Sequence, residues 1–258
     1  VRDLTLTLLQ SRLAWQDPAA NRAQFDRLID GLERPGELIV LPEMFTTGFT
    51  MNPAGAAEPM DGPTLHWLAA TAARTGSTLC GSLVIAEGGR YYNRLVWMRP
   101  DGSGDCYDKR HLFRMAGEHE QYAAGSTRLV VTLGEWRICP LICYDLRFPV
   151  WSRGANAFDL QLYVANWPRP RRSAWQALLP ARAIENQCYV AGVNRIGSDG
   201  NGVDHAGDSA VYDYFGQVLA SAGEEQQALT VTLDGAALAR YRDKFPAWRD
   251  ADRFELER

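Results

Sequence analysis

Trp136 to Trp151 reads WRICPLICYDLRFPVW, and the fold turns on how this stretch is read. Ile138 to Cys143 is a short apolar run interrupted by Pro140, too continuous for a solvated edge. It gives way abruptly to Tyr144-Asp145-Leu146-Arg147-Phe148-Pro149. Such a run predicts a strand buried on both faces with a polar turn at its carboxyl end. Cys143 stands at the changeover. Ligands of α/β sheets bind outside the carboxyl ends of the strands, so a cysteine placed there is a candidate nucleophile. The plainer reading of a cysteine is a small buried hydrophobe, and that is the role expected of Cys80, Cys106, Cys139 and Cys188.

Two other segments share the design. Leu38 to Leu41 is a buried-looking strand that ends in Pro42-Glu43, and the strand-like Asp105 to Asp108 runs into Lys109. A thiol needs a base to become a good nucleophile, and the anion formed on an attacked carbonyl needs a cationic or N–H partner. Glu43, Lys109 and Cys143 are the right residue types for those roles, although they lie far apart in the chain.

Outward from these segments the pattern is βαβ, which places the chain in the α/β class. Leu4 to Gln10 alternates Leu and Thr as a strand does, with Leu4, Leu6 and Leu8 on one face. Asp17-Pro18 caps a helix that stops at Gly31. Thr46 to Gly62 reads as a long loop that shapes a pocket, Pro63 to Thr75 as a helix, and Thr78 to Ala86 with Tyr91 to Met98 as a hairpin turning at Glu87-Gly88-Gly89. Asn93, within that hairpin, reads as structural. Arg128 to Leu133 pairs with Trp136 to Cys143, and Phe148 to Ala157 is expected to be a short helix whose amino end favours a thiolate at Cys143. Leu160 to Ala165 is the next buried strand. Ser173 and Gln176 fit a capping box for a helix through Asn186, which Pro180 either bends or divides. Gln187 to Asn194, Gly207 to Tyr212, Gln217 to Ala220 and Ala228 to Leu233 are assigned to a second sheet, with Gly197 to Gly202 an irregular turn.

The 258 residues include 27 Lys and Arg against 31 Asp and Glu, a formal charge of -4, and no basic tract suited to nucleic acid. Five cysteines without C-x-x-C pairs support neither a disulfide scaffold nor a structural zinc site. No phosphate-binding glycine motif follows a strand. The opening VRDLTLTLLQSRLAW is too short and too polar for a signal sequence or membrane span, so the cytosol is the expected compartment.

The segments LPEMFTTGF (41–49), YDKRHLF (107–113) and LICYDLRFP (141–149) resemble the three signature segments of the nitrilase superfamily of carbon–nitrogen hydrolases. The likeness continues through residues 165–200 and 205–220 and so covers nearly the whole chain; within the superfamily it is greatest to the omega-amidase, or 2-oxoglutaramate amidase, branch. The resemblance implies a four-layer α-β-β-α sandwich, a single hydrolase domain over residues 1–258, and a homodimer. It leaves open whether the aromatic-rich segment 238–258 packs at the dimer contact or on its own domain. It implies catalysis by Glu43, Lys109 and Cys143, with a second glutamate behind the lysine: Glu118, or its competitor Glu120. Lys109 and the backbone N–H of Tyr144 would hold the oxyanion. No cofactor or metal is implied. The substrate would be a short amide bearing a carboxylate, which Arg171, Arg172 or Arg195 would bind, with Phe113 and Trp167 lining its aliphatic part. The rivals are an N-carbamoyl amide, simple amide or nitrile substrate on the same fold, a non-catalytic binding protein, and a thiol hydrolase using His111 or His205.

Overall fold

The chain was analysed as a computed structural model, which describes residues 1–256. Its strands are β1 (Leu4–Gln10), β2 (Leu38–Val40), β3 (Thr78–Glu87), β4 (Arg90–Met98), β5 (Gly104–Asp108), β6 (Val131–Leu133), β7 (Trp136–Ile142), β8 (Leu160–Ala165), β9 (Tyr189–Asn194), β10 (Ile196–Ser198), β11 (Asp204–Ala206), β12 (Ala210–Tyr212), β13 (Val218–Ser221) and β14 (Gln227–Leu233). The helices are α1 (Pro18–Asp30), α2 (Pro53–Ala56), α3 (Pro63–Thr75), α4 (Glu118–Gln121), α5 (Pro149–Ser152), α6 (Arg172–Asn186) and α7 (Gly235–Lys244).

Local chemistry sets the element ends. Asp17 accepts the N–H of Ala20 at 3.0 Å and Pro18 opens α1, while Gly76, at φ +67°, closes α3 in the left-handed region glycine tolerates. Gly88 and Gly89 both have positive φ, as the tight β3–β4 turn requires. Pro140 lies beyond the last residue of β7 paired to β6, where β8 is the paired neighbour, so its missing donor breaks no rung of the β6 ladder.

Two six-stranded mixed sheets result, ordered β14-β1-β2-β3-β4-β5 and β13-β12-β9-β8-β7-β6, with β10 and β11 forming a separate ribbon. Leu4, Leu6 and Leu8 bury one face of β1 in the same cluster as Ile138, Leu160 and Leu162 of the other sheet. On the far side of the first sheet, Phe25 and Ile29 of α1 and Leu65, Leu68 and Ala72 of α3 pack on Ile39, Leu79 and Ile85. Helix α6 covers the second sheet through Trp175 and Leu179. Its approach needs Gly192, where a Cβ would come within 2.7 Å of both side chains. Helix, sheet, sheet and helix make the expected α/β sandwich.

Several expectations change in detail. Strand β14 pairs antiparallel with β1, Leu4 opposite Leu233, and so belongs to the first sheet rather than the second. The turn expected at Gly197 to Gly202 lies at the tip of the β10–β11 ribbon, whose first strand takes in Gly197 and Ser198. Helix α6 starts without a side-chain cap, because Gln176 reaches Asp208 instead. It runs through Pro180 as one helix, with buried residues on both sides of the proline anchoring it to the sheet. The helix after the nucleophile is only the four residues of α5; Ala155 and Asn156 take positive φ and turn the chain away. The C-terminal segment lies on its own fold as far as Asp250: Arg242 bonds Asp159 and the carbonyls of Phe158 and Gln187, and Tyr241 stacks on Tyr214. The last two residues of the 238–258 expectation lie outside the described residues.

Candidate active site

Both sheets present strand ends at one place. Glu43 follows β2, Lys109 follows β5, Cys143 follows β7, and Asn166 follows β8. Cys143 (φ +42°) opens a 3-10 turn, and Met44 (φ +41°), next to Glu43, is also left-handed. Such conformations cost free energy in non-glycine residues and persist where the surroundings fix them. Met44 is held by its N–H donating to Ser82 Oγ at 2.9 Å. Asp145 anchors the cysteine turn, accepting from the N–H of Ile142, the hydroxyl of Tyr107 and the N–H of His111. This tie also joins the lysine loop to the cysteine turn.

Glu43, Lys109 and Glu118 are all buried, Lys109 at 1% exposure. Lys109 Nζ donates to Glu43 Oε1 at 2.8 Å and to the two oxygens of Glu118 at 3.0 and 2.9 Å. Glu118 therefore stands behind the lysine; Glu120, just over half a helical turn on, is exposed and takes no part. Burial opposes the charge on Lys109, but Glu118 and Glu43 outweigh it and hold the ammonium protonated, above its ordinary range. Burial and then Glu43 push the Glu118 carboxyl upward, against Lys109 and the Phe113 N–H. The thiol of Cys143 is pushed well up, first by burial and then by the charge of Glu43, to which it hydrogen-bonds; Lys109 pulls the other way. The resting nucleophile is thus a thiol. The thiolate expected from a helix start is absent because α5 begins six residues later and is a single turn long.

Two neutral amides complete the cluster. Asn93 Nδ2 donates to Glu43 Oε1 at 2.8 Å and to Glu118 Oε1 at 3.1 Å, so the residue read as structural touches both carboxylates. Asn166 donates its N–H to Glu43 Oε2 at 2.8 Å and its side-chain amide to the Glu43 carbonyl at 2.5 Å. A buried asparagine in mid-strand is itself a signal, since asparagine is depleted from strands and a buried amide needs partners.

Cys143 and Lys109 open into a cavity of about 570 Å³. Phe113, Tyr144 and Trp167 line it, and Arg171 lies over the Phe113 ring, 4.9 Å from its centre. Arg147 also lines it, 5.2 Å over Trp167. Arg172 and Arg195 do not. Arg172 is engaged by Asp208 and Glu224, and Arg195 is buried behind the cavity wall, donating to the carbonyls of Ile196 and Ser198. Neither histidine serves the thiol: His111 pairs with Asp145 and stacks on Phe148, while His205 bonds the carbonyl of Gly197.

A buried Glu, Lys and Cys gathered at the strand ends of an α-β-β-α sandwich define a class, and comparison agrees. The chain belongs to the carbon–nitrogen hydrolase family, whose model matches residues 5–243. It is 51% identical over 254 residues to Omega-amidase YafV of Escherichia coli (strain K12), covering 98% of each chain. It is 34% identical to the 2-oxoglutaramate amidase of Bacillus subtilis (strain 168), covering 95% of this chain and 96% of the other. Among solved structures, a CN-hydrolase superfamily protein from Xanthomonas campestris, carrying an arsenic adduct in its active site, is 48% identical with a TM-score of 0.97 and full coverage of both chains.

Proposed function

We propose that this chain is an omega-amidase, hydrolysing the terminal carboxamide of short dicarboxylic monoamides such as 2-oxoglutaramate to the acid and ammonia. The single observation that carries the reading is the thiol of Cys143 against Glu43, beside Lys109, at the floor of a cavity walled by arginines. Among the described residues Arg147 and Arg171 lie in that wall without a carboxylate partner. The relatives named omega-amidase and 2-oxoglutaramate amidase support the substrate class.

In this mechanism Glu43 takes the thiol proton as sulfur attacks the amide carbon. A neutral Glu43 accepts hydrogen bonds more weakly than its anion, which frees an N–H of Lys109 to turn toward the oxyanion, with the Tyr144 N–H as the second donor. Glu118 keeps the ammonium in place throughout. Glu43 then gives its proton to the leaving nitrogen, ammonia departs, and a thioester remains. Water, deprotonated by Glu43, attacks the thioester carbonyl; the acid leaves and the thiol is restored. The guanidinium of Arg171, with Arg147 opposite, would take the distal carboxylate in its planar fork.

The test is ammonia release from 2-oxoglutaramate, succinamate, an N-carbamoyl amino acid, a simple amide and a nitrile. The two dicarboxylic monoamides are expected to turn over fastest by kcat/KM, and Arg171→Ala to raise KM for them at least tenfold while leaving the simple amide unaffected. Faster turnover of the carbamoyl compound or nitrile would overturn the substrate assignment.

The same reading extends to assembly and compartment. Ile184, Phe215 and Phe245 are each more than half exposed, and the last two flank Tyr241. This apolar patch supports self-association, for which light scattering should give twice the 28.7 kDa chain mass. All five cysteines are free, which suits a reducing cytosol.

A further inference from the structure

We propose that Asn93 is a positioning residue that selects the oxygen of Glu43 on which the thiol proton lands. The inference rests on Glu43 acting as the base for Cys143 and goes beyond it. A carboxylate offers about four acceptor sites, two on each oxygen. Glu43 Oε1 receives Lys109 Nζ and Asn93 Nδ2, which fills it. Oε2 receives one backbone donor, the N–H of Asn166, and keeps one acceptor position open. The thiol proton therefore goes to Oε2. Glu118 offers no alternative, because Oε1 takes Asn93 and Lys109 while Oε2 takes Lys109 and the N–H of Phe113 at 2.6 Å.

Asn93 can do this because its amide is held one way round. Its Oδ1 accepts from Ser82 Oγ at 2.8 Å, and that hydroxyl, committed as a donor, accepts the N–H of Met44. The polarity of the chain Met44 to Ser82 to Asn93 is fixed by a backbone N–H, which cannot reverse. A flipped amide would set its oxygen against two carboxylates. Both of its N–H groups thus point permanently at Glu43 and Glu118 and favour their ionised forms.

The ionisable groups facing the pair are Lys109 beyond β5, Cys143 beyond β7, and Tyr122 at the end of α4, whose titration is itself raised by burial and then by Glu118. None replaces the missing donor if Asn93 is changed. Removing a donor from the ionised form raises an acid's pKa. The loss is expected to move the acid limb of the pH profile upward, so that below the shifted limb less Glu43 is ionised and able to take the proton.

Alkylation of Cys143 by iodoacetamide, followed by mass against pH, reads that step without any substrate. Asn93→Leu keeps the shape of the side chain and removes the donor. It is expected to shift the acid limb up by at least half a pH unit, and so to slow alkylation at least about threefold at a pH below both limbs. Kinetics on succinamate should show the fall in kcat with KM changed less than threefold. Ser82→Ala, which leaves Asn93 in place but frees its amide to turn, should shift the limb the same way by less, and it carries the test if Asn93→Leu does not fold. A folded variant with a lower melting temperature but an unmoved acid limb would mean Asn93 is only structural, and overturns the proposal. Glu43→Gln separates the premise: if it alkylates as fast as the unchanged protein, Glu43 is not the base and the underlying reading fails with it.

Discussion

At the scale of single residues the chemistry depends on a charge that cannot leave. Lys109 sits between two buried acids that hold its proton, so in the proposed mechanism it serves as a fixed cation and not as a proton carrier. Lys109→Gln is expected to lower kcat/KM by about 10² to 10³, the usual effect of losing an oxyanion donor, and assays of kcat with KM would show the loss in kcat. The thiol behaves oppositely to an activated cysteine. Because burial and Glu43 raise Cys143 well above its ordinary range, thiolate absorbance near 240 nm should not appear as pH rises through neutrality; a titration step below the ordinary range of free cysteine, about 8.5, would contradict the geometry. In the proposed mechanism protonation of Glu118, whose carboxyl burial and then the charge of Glu43 push upward, is expected to weaken its hold on Lys109 and lower activity on the acid side. Glu43 and Cys143 could be singled out because each ends an apolar run, where a charged or reactive side chain has no packing reason to be, and Lys109 because it follows the strand-like Asp105 to Asp108. Asn93 and Asn166 were not, because a neutral amide in a chain of strands looks the same whether it braces a turn or touches a base.

Elements show where sequence neighbours and spatial neighbours part. Strand β14 follows β13 after a short loop, which invites a hairpin in the second sheet; instead it crosses to β1. The signal was present in the side chains: Thr5 meets Thr232 and Thr7 meets Thr230 with hydroxyl contacts of 2.9 and 3.0 Å, a ladder that matches alternating threonines on two distant strands. The boundaries of α1 and α3, with their Asp, Pro and Gly punctuation, were read correctly, whereas α5 was read too long although Gly154 and Asn156 mark a stop. The α7 attachment is carried by one carboxylate. Burial alone would raise Asp159, but Arg137 and Arg242 hold it below the ordinary range. Its stabilisation is present above the unfolded value and lost as pH falls through the lower folded one. Asp159→Ala, leaving two arginines facing each other, should cost about 3 kcal/mol at neutral pH in denaturant unfolding, with the difference shrinking as pH falls through the lowered folded value. Gly192→Ala should cost about 1–3 kcal/mol, since α6 has no room to retreat from β9 without losing its packing.

For the whole molecule the two sheets are the frame on which the site is stretched. Leu6 lies fully buried between them, and Leu6→Ala is expected to lower stability by about 2–5 kcal/mol. Because the residue touches no reacting group, kcat of the folded fraction should stay unchanged in that variant. No helix among the described residues is long and apolar enough to cross a membrane.

Asn166, rooted in one sheet, grips Glu43, rooted in the other, through both its main chain and its side chain. The base is therefore tethered to the layer that carries the cysteine, and the reaction reads the spacing between layers like a gauge. On warming, a slip of the sandwich too small to expose its interior would unhitch that double tie first, so turnover should fade several degrees below the temperature at which the fold itself melts.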